Sequence, residues 1–256
     1  MAQLLLNDRI FDIELVVFDK DGTLIDFHHL WGQKAKLWVE CLVLRVGGGE
    51  RLREALYRTV GYDPKADRTI NDSPLAVTSM PKLYTIAAAV LYQHGVGWHD
   101  AEKYVQESLA VTIDALPTHD LVKPLGDVAG VCRQLRQADV QLAIATSDNR
   151  IATEATLPLL GIEEQVSLLV CGDDNLPNKP APDGLWHISR QLAVEPDKMM
   201  FVGDTVSDML TGTNAGVGCR VGILGGAGER ASLESHADLI LESIEGIRVV
   251  ANGMQV

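Results

Sequence analysis

Two aspartates near the amino terminus carry the clearest chemical signal in the sequence. They are Asp19 and Asp21, and they follow the apolar run 15–18, whose residue types are typical of a buried strand. A carboxylate at the carboxyl end of a strand can act as a nucleophile or a metal ligand, and a second one close by can act as acid and base. Gly22 then allows the chain to turn sharply. These residues predict a catalytic or metal-binding site at the end of this strand.

The same residues resemble a known motif. The string Asp19-Lys20-Asp21-Gly22-Thr23 is similar to the first motif of the haloacid dehalogenase superfamily, whose phosphatases carry a nucleophilic aspartate, a second aspartate two residues on, and then Gly-Thr. A calcium loop of the EF-hand type is the alternative, but such a loop has a glutamate at its twelfth position. Counting from Asp19, that position is Leu30, so the motif favours the catalytic interpretation.

A second pair of aspartates follows another apolar run. Asp204 comes directly after the segment 201–203, and Asp208 follows in a stretch with a helical pattern. Mg²⁺ prefers oxygen ligands in octahedral geometry, so a few carboxylates from separate strands can hold it. We predict a Mg²⁺ site formed by Asp19 and Asp204, with Asp208 as a further candidate, and the resemblance implies that the backbone carbonyl of Asp21 is also a ligand. Taken alone, Asp204 would serve as a helix N-cap and Asp208 as a surface residue.

Lys179 is the candidate for the positive charge of the site. It stands before Pro180 in a segment that resembles the third motif of the superfamily. Carboxylates around a dianionic phosphate repel both the substrate and one another, so a fixed ammonium is required to offset that charge. The alternative interpretation of Lys179 is a solvated loop lysine.

Thr146 and Ser147 end the predicted strand 141–145 with hydroxyl groups. In the superfamily, such a strand ends in one Thr or Ser that binds the oxygens of the transferring phosphoryl group. Counting apolar positions favours Thr146, and Ser147 is the alternative because its hydroxyl lies at nearly the same place. A strand-end threonine also commonly serves as a cap or turn residue.

The four motifs occur in the order of the superfamily and span residues 15 to about 216. The resemblance implies an α/β fold, with a Rossmann-like core in which helices cover both faces of a parallel sheet, and an inserted α-helical cap domain. We expect the core to comprise residues 1–25 and 119–256 and the cap to comprise residues 26–118. Alternating strand-like and helix-like segments after residue 121 support the same fold class.

The apolar patterns predict individual elements in both parts of the chain. In the core, strands are expected after residue 15 and at 141–145, 166–171, 198–202, 218–222 and 238–241, and helices at 127–137, 150–160, 183–192 and 207–215. The cap segment shows no convincing strand pattern, and its expected helices are 29–45, 50–59, 74–94 and 100–116. Glycine runs at 47–49 and 95–97 should separate them.

Composition limits the partners, the cysteine chemistry and the cellular location that we expect for this protein. A net charge of −13 argues against a nucleic-acid-binding surface, which needs a basic patch. The four cysteines lie far apart and predict buried thiols without a zinc site or disulfide framework. The amino terminus lacks the features of a secretion signal, and no apolar run reaches the roughly 20 residues of a membrane span. We expect a cytoplasmic protein, as a monomer or homodimer, with no nucleic-acid or membrane partner.

The resemblance implies a Mg²⁺-dependent phosphatase that hydrolyses a small-molecule phosphate monoester. Asp19 would attack phosphorus to form an aspartyl-phosphate, and Asp21 would protonate the leaving alkoxide and then accept a proton from the attacking water. Mg²⁺ and Lys179 would stabilise the charge on the phosphoryl oxygens. The expected catalytic residues are Asp19, Asp21, Thr146 and Lys179, and the expected substrate-binding residues are Thr146, Ser147 and Lys179.

Several alternatives remain at the level of the substrate. The overall plan is similar to that of phosphoglycolate phosphatase and its small-molecule relatives, but a sugar phosphomutase, a phosphonate hydrolase or a pyrophosphatase of the superfamily would carry similar motifs. A phosphonate hydrolase needs a cap lysine for a Schiff base, with Lys34 and Lys36 as possible donors. His28, His29 and Trp31 are further cap residues that could face a leaving group. The alternative from another class is a non-catalytic binding or regulatory protein on the same fold.

Overall fold

The chain folds into two compact units, which are described separately. A computed structural model describes residues 2–109 and 111–250. One unit combines the residues up to Asp26 with those from Thr118 onward, and is called the core unit; the other is Phe27–Pro117, called the helical unit.

The elements of the described residues are numbered in chain order. The strands are β1 (Ala2–Leu6), β2 (Arg9–Ile13), β3 (Leu15–Phe18), β4 (Tyr62–Asp63), β5 (Arg68–Thr69), β6 (Gln141–Ala145), β7 (Leu168–Val170), β8 (Met199–Gly203), β9 (Cys219–Ile223), β10 (Leu239–Leu241) and β11 (Ile247–Val249). The α-helices are α1 (Phe27–Arg45), α2 (Glu50–Val60), α3 (Pro74–Val77), α4 (Met80–Gln93), α5 (Trp98–Leu109), α6 (Val128–Gln137), α7 (Arg150–Leu160), α8 (Asp183–Leu192), α9 (Val206–Ala215) and α10 (Arg230–Glu234). Short 3₁₀ turns lie at Pro196–Lys198 and Ile244–Gly246.

A six-stranded parallel sheet forms the centre of the core unit. Its strand order is β10-β9-β8-β3-β6-β7, and helices flank it. All residues of β3 and β8 are buried, as expected for central strands that are covered on both faces. The predicted α/β fold class is confirmed, and each of the six predicted core strands lies in this sheet.

The register of the central strands brings their carboxyl ends to one level. Phe18, the last residue of β3, pairs with Ile144 of β6 on one side and with Val202 of β8 on the other. Because the strands are parallel, the residues that follow all three strands emerge at the same edge of the sheet. This edge is where the sequence motifs meet.

Helices α6 to α9 of the core unit begin and end close to the predicted positions, whereas α10 was not predicted. Helix α7 spans the predicted residues, with the Asn149 side chain accepting a hydrogen bond from the amide of Ala152. It ends at Gly161, which adopts the left-handed conformation that favours glycine. The Asp127 side chain caps α6 in a similar way. Local capping residues therefore determine these boundaries.

A second, antiparallel sheet of the core unit was not predicted. Its order is β11-β1-β2, so the amino-terminal hairpin pairs with a strand near the other end of the described chain. Leu4 and Leu6 of β1 are fully buried, while most of β2 is exposed. The three consecutive leucines of β1 show no alternating pattern in the sequence, although their burial alternates in the folded strand, and the partner strand β11 is distant in the chain.

The described residues of the helical unit form five helices around an apolar core of their own. The largest buried side chains of that core include Trp38 on α1 and Tyr62 on β4. The segment was expected to be helical, without a convincing strand pattern, but β4 and β5 form an antiparallel pair of two residues each. Strands this short cannot show an alternating pattern, so they could not be predicted from the sequence.

Two predicted helices of this unit have different bounds. The expected helix 74–94 is broken into α3 and α4 at Thr78 and Ser79, and Pro81 then lies in the first turn of α4. The expected helix 100–116 is also wrong at both ends: α5 starts at Trp98 and ends at Leu109. The β-branched run 111–113 follows, and such residues have low helix propensity. Ala110, inside that prediction, lies outside the described residues.

Two further sequence predictions concern the membrane and the cysteines. Among the residues that the structure describes, there is no helix with the length and apolar character needed to cross a bilayer. All four cysteines are free thiols. Cys132, Cys171 and Cys219 are buried as predicted, but Cys41 is partly exposed, so that part of the prediction was wrong.

Candidate active site

Three buried carboxylates meet at the carboxyl edge of the parallel sheet. They belong to Asp19, Asp204 and Asp208, which are 7%, 1% and 2% exposed. One carboxylate oxygen from each lies within 4.8 Å of the others. The fold thus brings together the two aspartate motifs, which are far apart in the sequence.

Strand pairing and two glycines position Asp19 and Asp204. The amide of Asp19 donates to the carbonyl of Val202 at 2.8 Å, which extends the β3–β8 pairing to the nucleophile candidate. Gly22 has a φ of +89°, and a Cβ at this position would lie 2.2 Å from Oδ2 of Asp204. A Cβ on Gly226 would lie 2.0 Å from the same oxygen. The Asp204 carboxylate is therefore enclosed by backbone that only glycine permits at these distances.

A backbone amide also holds the Asp204 carboxylate. Ala227 donates its N–H to Oδ2 of Asp204 at 2.7 Å. A Cβ on Gly228 would come within 2.0 Å of the Asp204 carbonyl oxygen, so the loop after β9 also packs closely on the backbone here. This loop was not predicted from the sequence to be part of the site, although its glycine-rich composition signals close backbone approach. Asp204 is not the N-cap of α9, which is Thr205.

Asp208 combines a helix-capping role with a place in the acidic cluster. Its Oδ2 accepts hydrogen bonds from the amide of Thr205 at 3.0 Å and from the Thr205 hydroxyl at 2.5 Å. The Thr205 hydroxyl accepts in return from the Asp208 amide, which completes a capping box. The surface position that was the alternative for Asp208 is wrong, because the residue is buried.

Lys179 joins two of the three carboxylates. Its Nζ lies 2.6 Å from Oδ1 of Asp19 and 2.6 Å from Oδ1 of Asp208. The side chain of Asn214 donates to the carbonyl of Pro180 at 2.9 Å and so ties this loop to α9. The alternative of a solvated loop lysine is wrong, because the Lys179 side chain is 11% exposed.

Burial and like charge alter the proton affinity of this cluster. Burial raises the pKa of Asp19 to about 7, with Lys179 opposing the rise and Asp208 adding to it. Burial, followed by the charges of Asp19 and Asp208, raises the pKa of Asp204 well above its ordinary value. Burial alone would lower the pKa of Lys179, but the carboxylates of Asp19 and Asp208 outweigh it and raise that pKa.

A divalent cation fits this donor set. The donors are carboxylate oxygens only, which suits a hard cation such as Mg²⁺. When ionised, three carboxylates and the Lys179 ammonium leave two negative charges, which a doubly charged ion would neutralise. Burial is the main cause of the raised pKa values of Asp19 and Asp204, and the charges of the neighbouring carboxylates add to it. These carboxylates are therefore suited to hold a divalent ion.

The Asp21 carboxylate points to a different partner. Its Oδ1 accepts from the ammonium of Lys20 at 2.6 Å, and that ammonium also lies 2.9 Å from Oδ2 of Asp148. The Lys20 side chain is only 1% exposed. Neither Lys20 nor Asp148 was identified in the sequence analysis, because a lysine beside an active-site motif gives no sign of which carboxylate it will meet.

Thr146 and Ser147 differ in their surroundings. Thr146 is buried, and its amide donates to the carbonyl of Val170 at 2.9 Å, so it continues the pairing of β6 with β7. Its Oγ1 accepts from the amide of Asp148 at 3.1 Å. Ser147 is exposed. Thr146 is thus held by the sheet edge, while Ser147 lies on the loop that follows.

Two cavities of the core unit differ in their relation to these residues. One of about 30 Å³ is lined in part by Thr146, Ser147 and Lys179. A larger cavity of about 460 Å³ lies beside β7, with Arg150 and His187 in its lining. None of the predicted site residues lines this second cavity, so the chemistry of the side chains defines the candidate site better than cavity volume does.

The residues that the sequence suggested for the cap all lie on α1 of the helical unit. Lys34 is buried, donates to the carbonyl of Ile113 at 2.7 Å and lies 5.3 Å from the ring centre of Trp31. His28 is hydrogen-bonded to Thr69 at 2.5 Å through Nδ1. A role for His28, His29, Trp31 or Lys34 in substrate binding stays a prediction.

The chain matches the family of haloacid dehalogenase-like hydrolases over residues 13–216. This range includes the three carboxylates, Lys179 and the strand ends that carry them. The protein belongs to this family and is an enzyme of the hydrolase class. The predicted membership in the superfamily is confirmed.

The names of three curated relatives of similar length refer to different phosphorus compounds. Validoxylamine A 7′-phosphate phosphatase of Streptomyces hygroscopicus subsp. limoneus is 26% identical, with 92% of this chain and 96% of the relative covered. Phosphonoacetaldehyde hydrolase of Bacillus cereus (strain B4264) is 28% identical, with coverages of 94% and 87%. Phosphoglycolate phosphatase of Neisseria meningitidis serogroup A is 25% identical, with coverages of 94% and 95%.

A solved structure supports the fold. It is described as a predicted phosphoglycolate phosphatase from Haemophilus somnus 129PT, and it superposes with a TM-score of 0.69 at 18% sequence identity. The match covers 91% of this chain and 96% of that one. At this identity the likeness concerns the fold alone.

Proposed function

We propose that the protein is a Mg²⁺-dependent phosphatase that hydrolyses a small-molecule phosphate monoester through an aspartyl-phosphate at Asp19. The observation that carries this proposal is the contact of Lys179 with both Asp19 and Asp208 inside a buried acidic cluster. This arrangement pairs a candidate nucleophile with a fixed cation at the edge of the sheet. The named activities of the relatives, which all concern phosphorus compounds, support the same reaction class.

Asp19 is the nucleophile in this proposal. Its carboxylate attacks phosphorus in line with the leaving oxygen, so that a bond from Asp19 to phosphorus forms as the ester bond breaks. Lys179 and the Thr146 hydroxyl bind the phosphoryl oxygens, and Ser147 is a further candidate for this role. A divalent ion held by Asp19, Asp204 and Asp208, with the carbonyl of Asp21 as a further ligand, would supply positive charge against the phosphoryl oxygens.

Asp21 is the acid and base. It gives a proton to the leaving alkoxide in the first step and accepts one from water in the second step, when the aspartyl-phosphate is hydrolysed. Its position two residues after the nucleophile, in the turn beyond β3, keeps it in the same site. Its carboxylate lies outside the acidic trio and is bound through Oδ1 to Lys20, which leaves Oδ2 for this work.

We further propose that the helical unit, residues 27–117, is a cap that selects the substrate and excludes water during the first step. Its insertion directly after the first motif supports this assignment. Phosphorylated glycolate and related small phosphate esters are the substrate class that we favour, since phosphoglycolate phosphatase is among the relatives. The predicted cytoplasmic location and the monomeric or dimeric state stay predictions.

Phosphate release from a substrate panel tests the function. The panel contains phosphorylated glycolate, sugar phosphates, nucleotides, pyrophosphate and phosphonoacetaldehyde, each with Mg²⁺ and with a chelator. We expect release from one class of monoester, lost with the chelator and in Asp19→Asn. Transfer of the phosphoryl group within a sugar phosphate, without free phosphate, would instead indicate a mutase. No turnover of any compound would favour the binding-protein alternative.

Phosphonate hydrolysis is the second candidate. Two observations favour it: the relative from Bacillus cereus and the buried ammonium of Lys34. Such an enzyme forms a Schiff base between a lysine and the substrate aldehyde. Borohydride reduction with phosphonoacetaldehyde should then add a stable mass to the peptide that contains Lys34. Lys36, which is exposed and lies 3.4 Å from Asp67, is the other candidate donor on the same helix, and the position of the adduct distinguishes the two lysines. The absence of any adduct would contradict phosphonate hydrolysis.

A further inference from the structure

Lys20 is a buried cation held between two carboxylates of the core unit. Its Nζ lies 2.6 Å from Oδ1 of Asp21 and 2.9 Å from Oδ2 of Asp148, and its side chain is 1% exposed. Lysine is seldom buried to this degree unless it is paired, because removing an ammonium from water is costly. A solvated surface role therefore does not explain Lys20, which lies directly after a buried strand.

Asp148 is itself fixed by its surroundings. Its Oδ1 accepts from the amide of Asn149 at 2.8 Å, and its amide donates to Oγ1 of Thr146 at 3.1 Å. Its carbonyl accepts from the amide of Gly172 at 2.8 Å. A Cβ on Gly172 would lie 2.3 Å from the carbonyl oxygen of Ser147, so this loop has little room to move. Asp148 therefore offers Lys20 a rigid anchor.

The contacts of Lys20 connect the segments that follow strands β3 and β6. On one side is Asp21 in the turn after β3, and on the other is the loop after β6 that contains Thr146. Three donor hydrogens on a lysine ammonium can bridge two carboxylates at fixed distances. The Asp21 side chain is thereby held in one orientation relative to the neighbouring strand end.

We propose that Lys20 is a positioning residue for Asp21, with Asp148 as its anchor. This inference rests on the proposed function. In the first step, the bond from Asp19 to phosphorus forms, the bond from phosphorus to the leaving oxygen breaks, and that oxygen takes a proton from Asp21. Because Lys20 holds Oδ1 of Asp21, Oδ2 is the oxygen that delivers the proton. A misplacement of about 1 Å in such a group can cost on the order of a hundredfold in rate.

A purely structural role for Lys20 predicts a different outcome. If Lys20 only joined the ends of β3 and β6, its loss would reduce turnover of all substrates by the same factor. A positioning role predicts a loss that depends on the leaving group, because a good leaving group needs little help from an acid and an alkoxide needs much.

The test compares kcat/KM for p-nitrophenyl phosphate and for an alkyl phosphate, since kcat/KM reports the steps through formation of the aspartyl-phosphate. We expect Lys20→Met to lose at least tenfold more on the alkyl phosphate than on p-nitrophenyl phosphate, with partial recovery in Lys20→Arg and a smaller loss of the same kind in Asp148→Asn. Asp238→Asn is the matched control, because it removes an ion pair of the same unit, with Arg220. Equal losses on both substrates would overturn the proposal.

Crystal structures of the wild type and Lys20→Met give a second measurement that needs no activity. The proposal predicts that the Asp21 carboxylate leaves its wild-type orientation in the variant, and an unchanged Asp21 would overturn it. A wild type that releases no phosphate from any ester, with Asp19→Asn indistinguishable from it, would contradict the proposed function. The crystal structures would still decide whether Lys20 positions Asp21.

Discussion

The ammonium of Lys179 lies 2.6 Å from Oδ1 of Asp19, although 160 residues separate the two in the chain. This contact places a permanent positive charge against the candidate nucleophile. Asp208 accepts from the same ammonium at 2.6 Å and so helps to fix its position. The pair is the structural basis for the reaction that we assign to the protein.

The first prediction concerns the charge of Lys179. Lys179→Met should lower kcat by at least about a hundredfold, because the phosphoryl oxygens lose a preorganised cation. The free energy of unfolding without Mg²⁺ should also fall, by roughly 3 kcal/mol, since the variant leaves buried carboxylates without their partner. Steady-state kinetics and urea unfolding measure both effects. Lys123→Met, at an exposed position of the same unit, is the control, and equal behaviour of the two variants would contradict the role of Lys179.

The second prediction concerns the backbone around Asp204. Gly226→Ala should abolish the rise in Tm that Mg²⁺ produces, because the new Cβ would lie 2.0 Å from Oδ2 of Asp204 and must displace it. In the wild type, an ion at about 100 times its Kd should add about 2.7 kcal/mol of stability. Gly49→Ala is the control, since no atom lies within 4 Å of its Cβ. A normal response to Mg²⁺ in Gly226→Ala would show that this oxygen is not needed for the ion.

The third prediction distinguishes the two hydroxyl residues after β6. Thr146→Val should raise KM and lower kcat/KM for the best substrate by about tenfold or more, because it removes the buried hydroxyl that we propose binds the phosphoryl oxygens. Ser147→Ala should change kcat/KM by less than about threefold, since Ser147 is exposed on the loop. Steady-state kinetics on both variants provides the comparison. The reverse order of effects would reassign the phosphate ligand to Ser147.

The fourth prediction concerns pH and the pair formed by Arg220 and Asp238. Hydrogen bonds from the Arg220 side chain lower the pKa of Asp238, with Oδ1 accepting at 2.7 Å and Oδ2 at 2.9 Å. A carboxylate whose pKa is lower in the folded state than in the unfolded state stabilises the fold when the pH is above the unfolded-state pKa. This contribution to stability disappears as the pH falls through the folded-state pKa. Asp238→Asn should therefore cost roughly 1 kcal/mol near neutral pH.

The difference between wild type and Asp238→Asn should stay constant down to a pH of about 4 and shrink below it. Urea unfolding at a series of pH values measures this difference. A stability difference that grows as the pH falls would contradict the lowered pKa of Asp238 in the folded protein.

The sequence predicted the parts of the fold that depend on local pattern. Strands β3, β6 and β8 are buried on both faces, so their apolar runs were visible, and the parallel register then placed Asp19, Thr146 and Asp204 at one edge. Capping residues such as Asn149 determined the helix boundaries. These signals lie within a few residues of the features that they predict.

The features that could not be predicted from the sequence depend on contacts between distant segments. Strand β1 pairs with β11 near the other end of the described chain, and no local pattern joins them. The bridge from Lys20 to Asp148 and the bond from Ala227 to Asp204 likewise require the folded sheet. The break before α4 was different, because Ser79 and Pro81 form a start signal that could have been recognised.

The most direct test of the account is to trap the covalent intermediate at Asp19. The enzyme is mixed with its best phosphate ester and Mg²⁺, quenched in acid and reduced with borohydride, which converts an aspartyl-phosphate to homoserine. Mass spectrometry of the peptides should then find homoserine at position 19, and only when both ester and Mg²⁺ were present. Phosphate release with an unmodified Asp19, or homoserine at another aspartate, would contradict the proposed mechanism.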